Sequence, residues 1–166
     1  EQAAEALRRA SRRAANQTAL VADAPPVVAV FPGQGAQYPG MGRALYTVPG
    51  VFQDTVDRLA GYLEAPLGLD IRRLILPEGD DQHSAADKLA DTAITQPAIF
   101  VLELALAYQW HAWGIEAEML VGHSVGEFAA AVLAGVFSEA DACTLIATRA
   151  RLMADQPAGA MLAVHA

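Results

Sequence analysis

Two short apolar runs in this sequence lead directly into glycine-containing turns. The first run covers residues 27–31, and the second covers residues 119–121. The first run is rich in β-branched residues and bounded by prolines, which is typical of a strand buried on both faces of a parallel sheet. The second run is a shorter strand candidate. Segments of helical composition lie between and after the two runs. The sequence therefore predicts an α/β fold in which helices flank a parallel sheet.

The spacing of apolar and capping residues predicts where the helices begin and end. Thr95 is the expected N-cap of a long apolar helix with Pro97 in its first turn, and Gly114 ends that helix. Ser138 and Asp141 have the spacing of a capping box, which predicts the start of the last long helix. The other predicted elements are helices at 51–63 and 128–133, a short element at 70–76, a polar loop at 77–84 and a strand at 161–164.

Composition narrows the class of protein. The 166 residues have room for one ordinary domain, and 54% hydrophobic against 18% charged residues excludes a disordered chain. A net charge of −8 argues against a surface for nucleic acid or anionic membranes, which attract clustered Lys and Arg. The single cysteine, Cys143, cannot form an internal disulfide or a cysteine-rich metal site. We expect a cytoplasmic protein with no membrane span and no metal site.

The first 24 residues differ in charge from the rest of the chain. They contain four basic and three acidic residues, whereas the remainder contains seven basic and sixteen acidic residues. They are rich in Ala and Arg and contain neither Gly nor Pro, which predicts a helix that ends before the prolines at 25 and 26. We interpret residues 1–26 as a linker helix that precedes a domain at 27–166.

The motif Gly122-x-Ser124-x-Gly126 lies between a predicted strand and a predicted helix. Glycines on both sides permit a strained turn that raises the serine hydroxyl at the helix N-terminus, the arrangement called a nucleophile elbow. Free backbone N–H groups and the positive end of the helix dipole can stabilise an oxyanion there. This context favours a catalytic role for Ser124 over a purely structural turn.

A second glycine-rich loop, residues 32–40, follows the first predicted strand. Ligands of open α/β sheets bind at such carboxyl ends of strands. The loop lacks the Lys-Ser/Thr pair of a Walker loop and the third glycine of a dinucleotide fingerprint, so a nucleotide site is disfavoured. Its backbone donors could complete an oxyanion hole, or its glycines could serve a tight turn alone.

Arg149 shares the apolar face of the last predicted helix with Leu145 and Leu152. Arginine keeps its charge in proteins, so an arginine that faces inward requires an anion. The anion could be the carboxylate of a bound molecule or an internal acid such as Glu127. Spacing alone leaves both alternatives open.

Four motifs of this sequence resemble those of one family and follow in the same order. Residues 32–37 (PGQGAQ), 95–98 (TQPA) and 122–127 (GHSVGE), followed by Arg149, resemble malonyl-CoA:acyl-carrier-protein transacylases. The resemblance is specifically to the acyltransferase domains of modular polyketide synthases. It runs from about residue 27 to the end of the chain, and the residues before it resemble the linker that precedes such a domain.

The resemblance implies transfer of a malonyl-type extender unit from coenzyme A to the phosphopantetheine thiol of an acyl carrier protein. Ser124 would form an acyl-serine, and the backbone N–H groups of Gln34 and Val125 would form the oxyanion hole. Arg149 would bind the malonyl carboxylate, with Gln96 as a hydrogen-bonding group beside it. The implied partners are an acyl-CoA, the carrier protein and a neighbouring ketosynthase domain, with no bound cofactor. Val125 is aliphatic at a position where methylmalonyl-selective members of the family often have a more polar residue, so the resemblance favours malonyl over methylmalonyl.

One part of the family pattern is not expected in this chain. The resemblance implies that the general base is a histidine far downstream of the serine, beyond an inserted ferredoxin-like subdomain, and only 42 residues follow Ser124. We therefore expect the N-terminal, hydrolase-like part of the large subdomain without the small subdomain. A serine without an adjacent base is a poor nucleophile, so the fragment alone should be inactive or nearly so. The histidines present, none of them expected to be the base, are His83, His111, His123 and His165.

Two other classes of protein share part of this pattern. Serine hydrolases of the α/β-hydrolase or patatin-like kind have the same elbow, but their acyl pocket would be apolar where Arg149 stands. A non-catalytic scaffold remnant would keep the motif without an activated serine. Both remain alternatives at the level of the sequence.

Overall fold

The computed structural model describes residues 25–78, 81–157 and 159. The helix predicted within residues 1–24 and the strand predicted at 161–164 lie outside these residues. The described residues form two strands and seven helices, in the order β1 (Val28–Phe31), α1 (Arg43–Tyr46), α2 (Val51–Leu67), α3 (Arg72–Ile75), α4 (Gln82–Leu89), α5 (Thr92–Ala112), β2 (Met119–Gly122), α6 (Gly126–Leu133) and α7 (Glu139–Ala154).

The two strands pair in parallel, which confirms the predicted α/β fold. Their register places Val28 opposite Met119 and Phe31 opposite Gly122. The ladder continues one step further, because the backbone N–H of His123 donates to the Phe31 carbonyl oxygen at 2.9 Å. Both strands therefore end at the same edge of the sheet, and the loops that follow them are neighbours.

The prediction that both faces of the first strand are buried is wrong for the described part of the chain, and the second strand is also open to solvent. Val30 in β1 is 67% exposed and Met119 in β2 is 59% exposed, whereas Phe31 is 5% exposed. The cause is tertiary, because the sheet has only two strands within the described residues and helices cover only part of it. Apolar strand surface is consequently open to solvent.

The core lies among the helices, with α5 at its centre. Every residue of α5 from 95 to 105 is buried, so this helix is enclosed on all sides. It packs against α2 and α7. Truncation of a large core side chain to alanine typically costs about 2–5 kcal/mol, so the packing of these helices contributes strongly to the stability of the fold. The large buried side chains of α2 and α5 include Phe52, Leu59, Leu63, Phe100 and Leu104.

Helix α5 begins earlier than predicted, and Thr95 is not its N-cap. The N-cap is Asp91, whose carboxylate accepts a hydrogen bond from the backbone N–H of Ala93 at 2.9 Å. Thr95 is buried inside the helix, and its hydroxyl donates to the Leu89 carbonyl oxygen at 2.6 Å. A carboxylate just before the helix satisfies a free N–H of the first turn, so the helix starts there and Pro97 falls in the second turn.

The remaining boundaries differ from the predictions by a few residues. Helix α2 continues to Leu67, with Pro66 in its last turn, and α4 begins at Gln82, inside the predicted polar loop. Ser138 is the N-cap of α7 as predicted, because its hydroxyl oxygen accepts a hydrogen bond from the Asp141 N–H at 3.1 Å. Only the interior of each element follows from periodicity, whereas its ends depend on local contacts.

An ion pair orients the first turn of α7. The Arg58 Nε donates to Glu139 Oε2 at 2.7 Å, and Arg58 Nη2 donates to Glu139 Oε1 at 3.1 Å. The Arg58 guanidinium holds the pKa of the Glu139 carboxyl below its usual range. The pair is partly exposed and contributes at most about 1 kcal/mol, so its main effect is to align α7 with α2. Helix α7 carries Arg149.

Among the residues that the structure describes, no single helix has the length and apolar character of a membrane span. Gln82–Leu89 and Thr92–Ala112 meet the criterion only when they are taken together, and a bend of 101° separates them.

Candidate active site

The turn between β2 and α6 is strained at Ser124. Its φ of 55° is the only positive value at a residue other than glycine in the described chain. This left-handed conformation costs about 1–2 kcal/mol for an L-residue, and it raises the Ser124 side chain, which is exposed. The backbone of the motif thus has the conformation expected of an elbow.

Both glycines of the elbow are required by close packing. A Cβ at Gly122 would overlap the backbone of Glu127, and a Cβ at Gly126 would overlap the carbonyl group of Phe31. The first glycine lets the strand approach the helix, and the second lets the helix approach β1. The motif is therefore a steric requirement of this strand, turn and helix as well as a carrier of the serine.

Ser124 and Arg149 meet in the structure. Arg149 Nη2 lies 3.1 Å from the Ser124 Oγ, within hydrogen-bond distance. Arg149 Nη1 donates to the Oε1 of Gln96, which is fully buried. The Gln96 Nε2 in turn contacts the Met153 Sδ at 3.3 Å. The guanidinium also lies over the Phe128 ring, 5.8 Å from its centroid. Three elements, α5, α6 and α7, thus hold one guanidinium beside one hydroxyl.

No carboxylate pairs with Arg149 within the described residues. The ion pairs found there join Arg58 to Glu139, and Arg72 to Asp57 and Asp70. The internal acid considered above, Glu127, is exposed and makes no ion pair with Arg149. The hydrogen bonds of the guanidinium go to a neutral amide and a neutral hydroxyl, so its charge is available for an anionic ligand.

Arg149 lies at the edge of the buried face of α7. The buried residues of α7 are Ala142, Cys143, Ile146, Ala147 and Ala150, whereas Leu145 and Leu152 are 43% and 55% exposed. The face of α7 that is buried is therefore rotated by part of a turn about the helix axis from the predicted apolar face. The half-buried position lets the aliphatic stem pack while the guanidinium reaches the surface beside Ser124.

The two predicted oxyanion donors lie on adjacent loops. Val125 is fully buried at the start of α6, and Gln34 is exposed in the loop after β1. Neither backbone N–H has a hydrogen-bond acceptor among the residues described. Gly33 packs against His123, since a Cβ at Gly33 would stand 2.7 Å from the His123 Nδ1. This contact brings the loop of Gln34 up to the elbow.

No histidine in the described chain hydrogen-bonds to Ser124. His123 precedes it but lies against Gly33, while His83 and His111 are exposed on α4 and at the end of α5. The fourth histidine lies outside the described residues. Within the described part of the chain, no three or more His, Cys, Asp or Glu side chains form a group that could hold a metal ion.

Sequence reasoning gave no role in the site to three residues with unusual surroundings, although it placed Met153 on the same helix face as Arg149. Phe128 and Met153 each stand four positions after a predicted site residue, and that helical spacing was the available signal. Glu103 interrupts the apolar run of α5; it is 8% exposed, and both carboxylate oxygens lack a hydrogen-bond partner in the described chain. Burial raises the pKa of Glu103 to about 8.

The chain matches known acyltransferases in sequence. Residues 28–166 match the sequence model of the acyl transferase domain family. The spectinabilin polyketide synthase system protein NorB of Streptomyces orinoci is 46% identical over 138 residues, which are 82% of this chain. The chain spans only 6% of the length of that relative.

Solved structures agree with this match. The acyl transferase domain of ZmaA superposes with a TM-score of 0.79 at 33% identity, over 84% of this chain and 32% of that one. A malonyl-transacylase in complex with its type II polyketide synthase acyl-carrier protein gives a TM-score of 0.64 at 31% identity, over 78% of this chain and 39% of that one.

The fold is consistent with the large subdomain of these enzymes. The family match covers the elbow, the loop after β1 and Arg149 in one stretch of sequence. This chain belongs to the acyl transferase domain family, and its relatives are the acyltransferase domains of polyketide synthases.

Proposed function

We propose that this chain carries the nucleophile and the carboxylate clamp of an acyltransferase that moves a malonyl-type unit from coenzyme A to an acyl carrier protein. The observation that carries the proposal is the position of Arg149. Its guanidinium lies 3.1 Å from the Ser124 hydroxyl and has no carboxylate partner in the described chain. A charged clamp beside the nucleophile suits an acyl group that bears its own carboxylate, whereas a hydrolase pocket would be apolar there.

In the first half-reaction, the Ser124 oxygen attacks the thioester carbonyl of malonyl-CoA. A bond forms between Oγ and the carbonyl carbon, and the hydroxyl proton passes to a general base. The backbone N–H groups of Gln34 and Val125 stabilise the oxyanion of the tetrahedral intermediate. The carbon–sulfur bond then breaks, and coenzyme A leaves as a thiol after it takes up a proton.

In the second half-reaction, the phosphopantetheine thiol of the carrier protein attacks the acyl-serine. The same donors stabilise the second oxyanion, and the bond between carbon and Oγ breaks. Ser124 regains its proton, and the malonyl unit leaves as a thioester of the carrier. The sum is an exchange of one thioester for another, with no oxidant and no bound cofactor.

Arg149 binds the malonyl carboxylate through two parallel N–H···O bonds. Such two-pronged pairs are stronger and more directional than single hydrogen bonds. The buried Gln96 amide accepts from Nη1 and so fixes the plane of the guanidinium.

The described residues contain a nucleophile without a base. No described histidine hydrogen-bonds to Ser124, and the family's base is expected in another part of the domain. An oxyanion hole without a base retains a rate enhancement of roughly 10³–10⁴-fold over the reaction in water, which is far below that of a complete enzyme. We therefore propose that the chain alone is inactive or nearly so.

The proposed setting is a cytoplasmic polyketide synthase. A relative at 31% identity is a malonyl-transacylase solved together with its acyl-carrier protein, which supports a carrier protein as the acceptor here. The similarity to polyketide synthase proteins supports a neighbouring ketosynthase domain as a further partner.

The test measures the binding of malonyl-CoA and acetyl-CoA to the chain by calorimetry, which needs no catalytic base. We expect malonyl-CoA to bind about tenfold more tightly, because a charged hydrogen bond contributes about 1.5–3 kcal/mol. Arg149→Ala should abolish the preference. Arg151→Ala removes the same charge from an exposed position of α7 and should preserve it. Equal binding of both thioesters to the unaltered chain would contradict the proposal.

A further inference from the structure

The Arg149 guanidinium lies over an aromatic ring. Its Cζ atom is 5.8 Å from the centroid of the Phe128 ring, within the range in which the electron density of a ring face attracts a cation. Phe128 belongs to the first turn of α6 and follows Ser124 by four positions. The ring therefore belongs to the same short segment of chain as the nucleophile.

A second ring supports the first. The Phe128 and Phe137 rings are stacked, with 6.5 Å between their centroids and 20° between their planes. Both side chains are half-buried and pack against the hydrophobic core. Phe137 immediately precedes Ser138, the N-cap of α7. The pair thus joins α6 to the start of the helix that carries Arg149, and stacking gives the ring beneath the guanidinium a defined orientation.

The ring and two polar contacts restrain the guanidinium without neutralising it. Arg149 Nη1 donates to the Gln96 amide oxygen, and Nη2 lies 3.1 Å from the Ser124 hydroxyl. Since arginine has five N–H donors, most of them have no acceptor among the residues that the structure describes. A carboxylate in place of the ring would pair with the guanidinium and compete with a bound anion. An aromatic face attracts the cation and leaves its charge in place.

We propose that Phe128 is a positioning residue, which holds the Arg149 guanidinium in the orientation that receives the carboxylate of the substrate. The inference rests on the proposed function, because it concerns the same clamp. Ordering a long side chain on binding costs free energy, so a clamp that is held in place beforehand binds its ligand more tightly. The ring restrains one face of the guanidinium, and the Gln96 amide restrains one edge.

The test changes the electron density of the Phe128 ring and leaves its shape nearly the same. Trifluorination withdraws electron density from the ring face and so weakens its attraction for a cation. Calorimetry measures the binding of malonyl-CoA and acetyl-CoA to the chain. We expect the preference for malonyl-CoA to fall about two- to fivefold, as for the loss of a partly exposed cation–π contact. Acetyl-CoA should bind as before, because its acyl group bears no carboxylate.

Three further variants separate the attraction of the ring from its packing. Trifluorination of Phe52, a buried ring in α2, is the matched control and should leave the preference intact. Phe128→Tyr retains an aromatic face and should retain the preference, whereas Phe128→Leu should lower it as trifluorination does. The proposal is overturned if trifluorination of Phe128 leaves the preference unchanged. It is equally overturned if the preference rises, because the ring would then compete with the substrate for the guanidinium.

Nuclear magnetic resonance of the chain without substrate gives a second readout. The magnetic field of an aromatic ring shifts the signals of protons above it, so the guanidinium N–H signals of Arg149 should move towards those of free arginine in Phe128→Leu. Signals that stay in place would contradict the contact. Equal binding of both thioesters to the unaltered chain would overturn the proposed function and this inference together. A preference that Arg149→Ala abolishes and trifluorination of Phe128 leaves intact would overturn this inference alone.

Discussion

The Arg149 guanidinium lies 3.1 Å from the hydroxyl of Ser124, although 25 positions separate the two residues in the chain. Helix α6 leads away from the serine, and α7 returns to bring the arginine back to it. One permanent positive charge and one hydroxyl on a strained turn therefore occupy the same open surface. This arrangement is the basis of the predictions on substrate and base below.

The first prediction concerns the general base for Ser124, which no histidine of the described residues supplies. Added imidazole should accelerate acylation of Ser124 by malonyl-CoA by at least about tenfold, because a positioned general base typically contributes 10²–10⁴-fold and a free one contributes less. The acyl-serine is measured by mass spectrometry of the intact chain, and Ser124→Ala should remain unmodified. Turnover of the chain alone at ordinary enzyme rates, about 1–10³ s⁻¹, would show that a base is already present.

The second prediction concerns the amide that holds the arginine. Gln96→Glu should place a carboxylate where the Gln96 Oε1 accepts from Arg149. This internal carboxylate would compete with that of the substrate, so the preference for malonyl-CoA over acetyl-CoA should fall about tenfold. Calorimetry with both thioesters measures it. The matched control is Gln156→Glu, at an exposed position just beyond α7, the helix that carries Arg149. This variant should leave the preference intact.

The third prediction concerns the glycine after the serine. Gly126→Ala should destabilise the fold by about 1–3 kcal/mol, because the new Cβ would overlap the carbonyl group of Phe31 and force α6 away from β1. Gly61→Ala, inside α2 with no atom near the new Cβ, should instead stabilise it by about 0.5–1 kcal/mol. Urea denaturation measures both. A Gly126→Ala variant as stable as the parent would contradict the packing argument.

The fourth prediction concerns pH and Glu103. Burial raises the pKa of Glu103 from 4.5 to about 8, so the folded state keeps a proton that the unfolded state loses. This difference in proton binding destabilises the folded state. The destabilisation is absent below pH 4.5, grows as the pH rises towards 8 and is then constant. Glu103→Gln should therefore exceed the parent in stability by a margin that grows across this range and reaches about 2–4 kcal/mol. Glu103 lines a cavity of about 1000 Å³ beside β1, and the other ionisable side chains that line it are Tyr38, Arg43, Tyr108 and His111.

Denaturation of both proteins at a series of pH values measures this margin. The two proteins differ only at position 103, so the difference between their stabilities isolates the contribution of the Glu103 carboxyl. A difference that stays constant with pH would show that the Glu103 carboxyl is already solvated or paired in the folded chain.

Local rules were sufficient for the elements that short-range sterics control. The strand, turn and helix around Ser124 follow from two glycines and an apolar run, because the close contacts involve neighbours in sequence and the adjacent strand. The N-cap at Ser138 is equally local. The start of α5 was misplaced because Asp91 and Thr95 are both acceptable caps in isolation, and only the burial of Thr95 distinguishes them.

The sequence by itself determined the α/β class, the strained turn at Ser124 and the family to which the motifs belong. Only the tertiary structure decided that Arg149 reaches Ser124 without a carboxylate of its own, that the strands are open to solvent, and that Glu103 is buried without a partner. The physical reason is the range of the interactions involved. Turns and caps depend on contacts between near neighbours, whereas the environment of a charge depends on every element that packs around it.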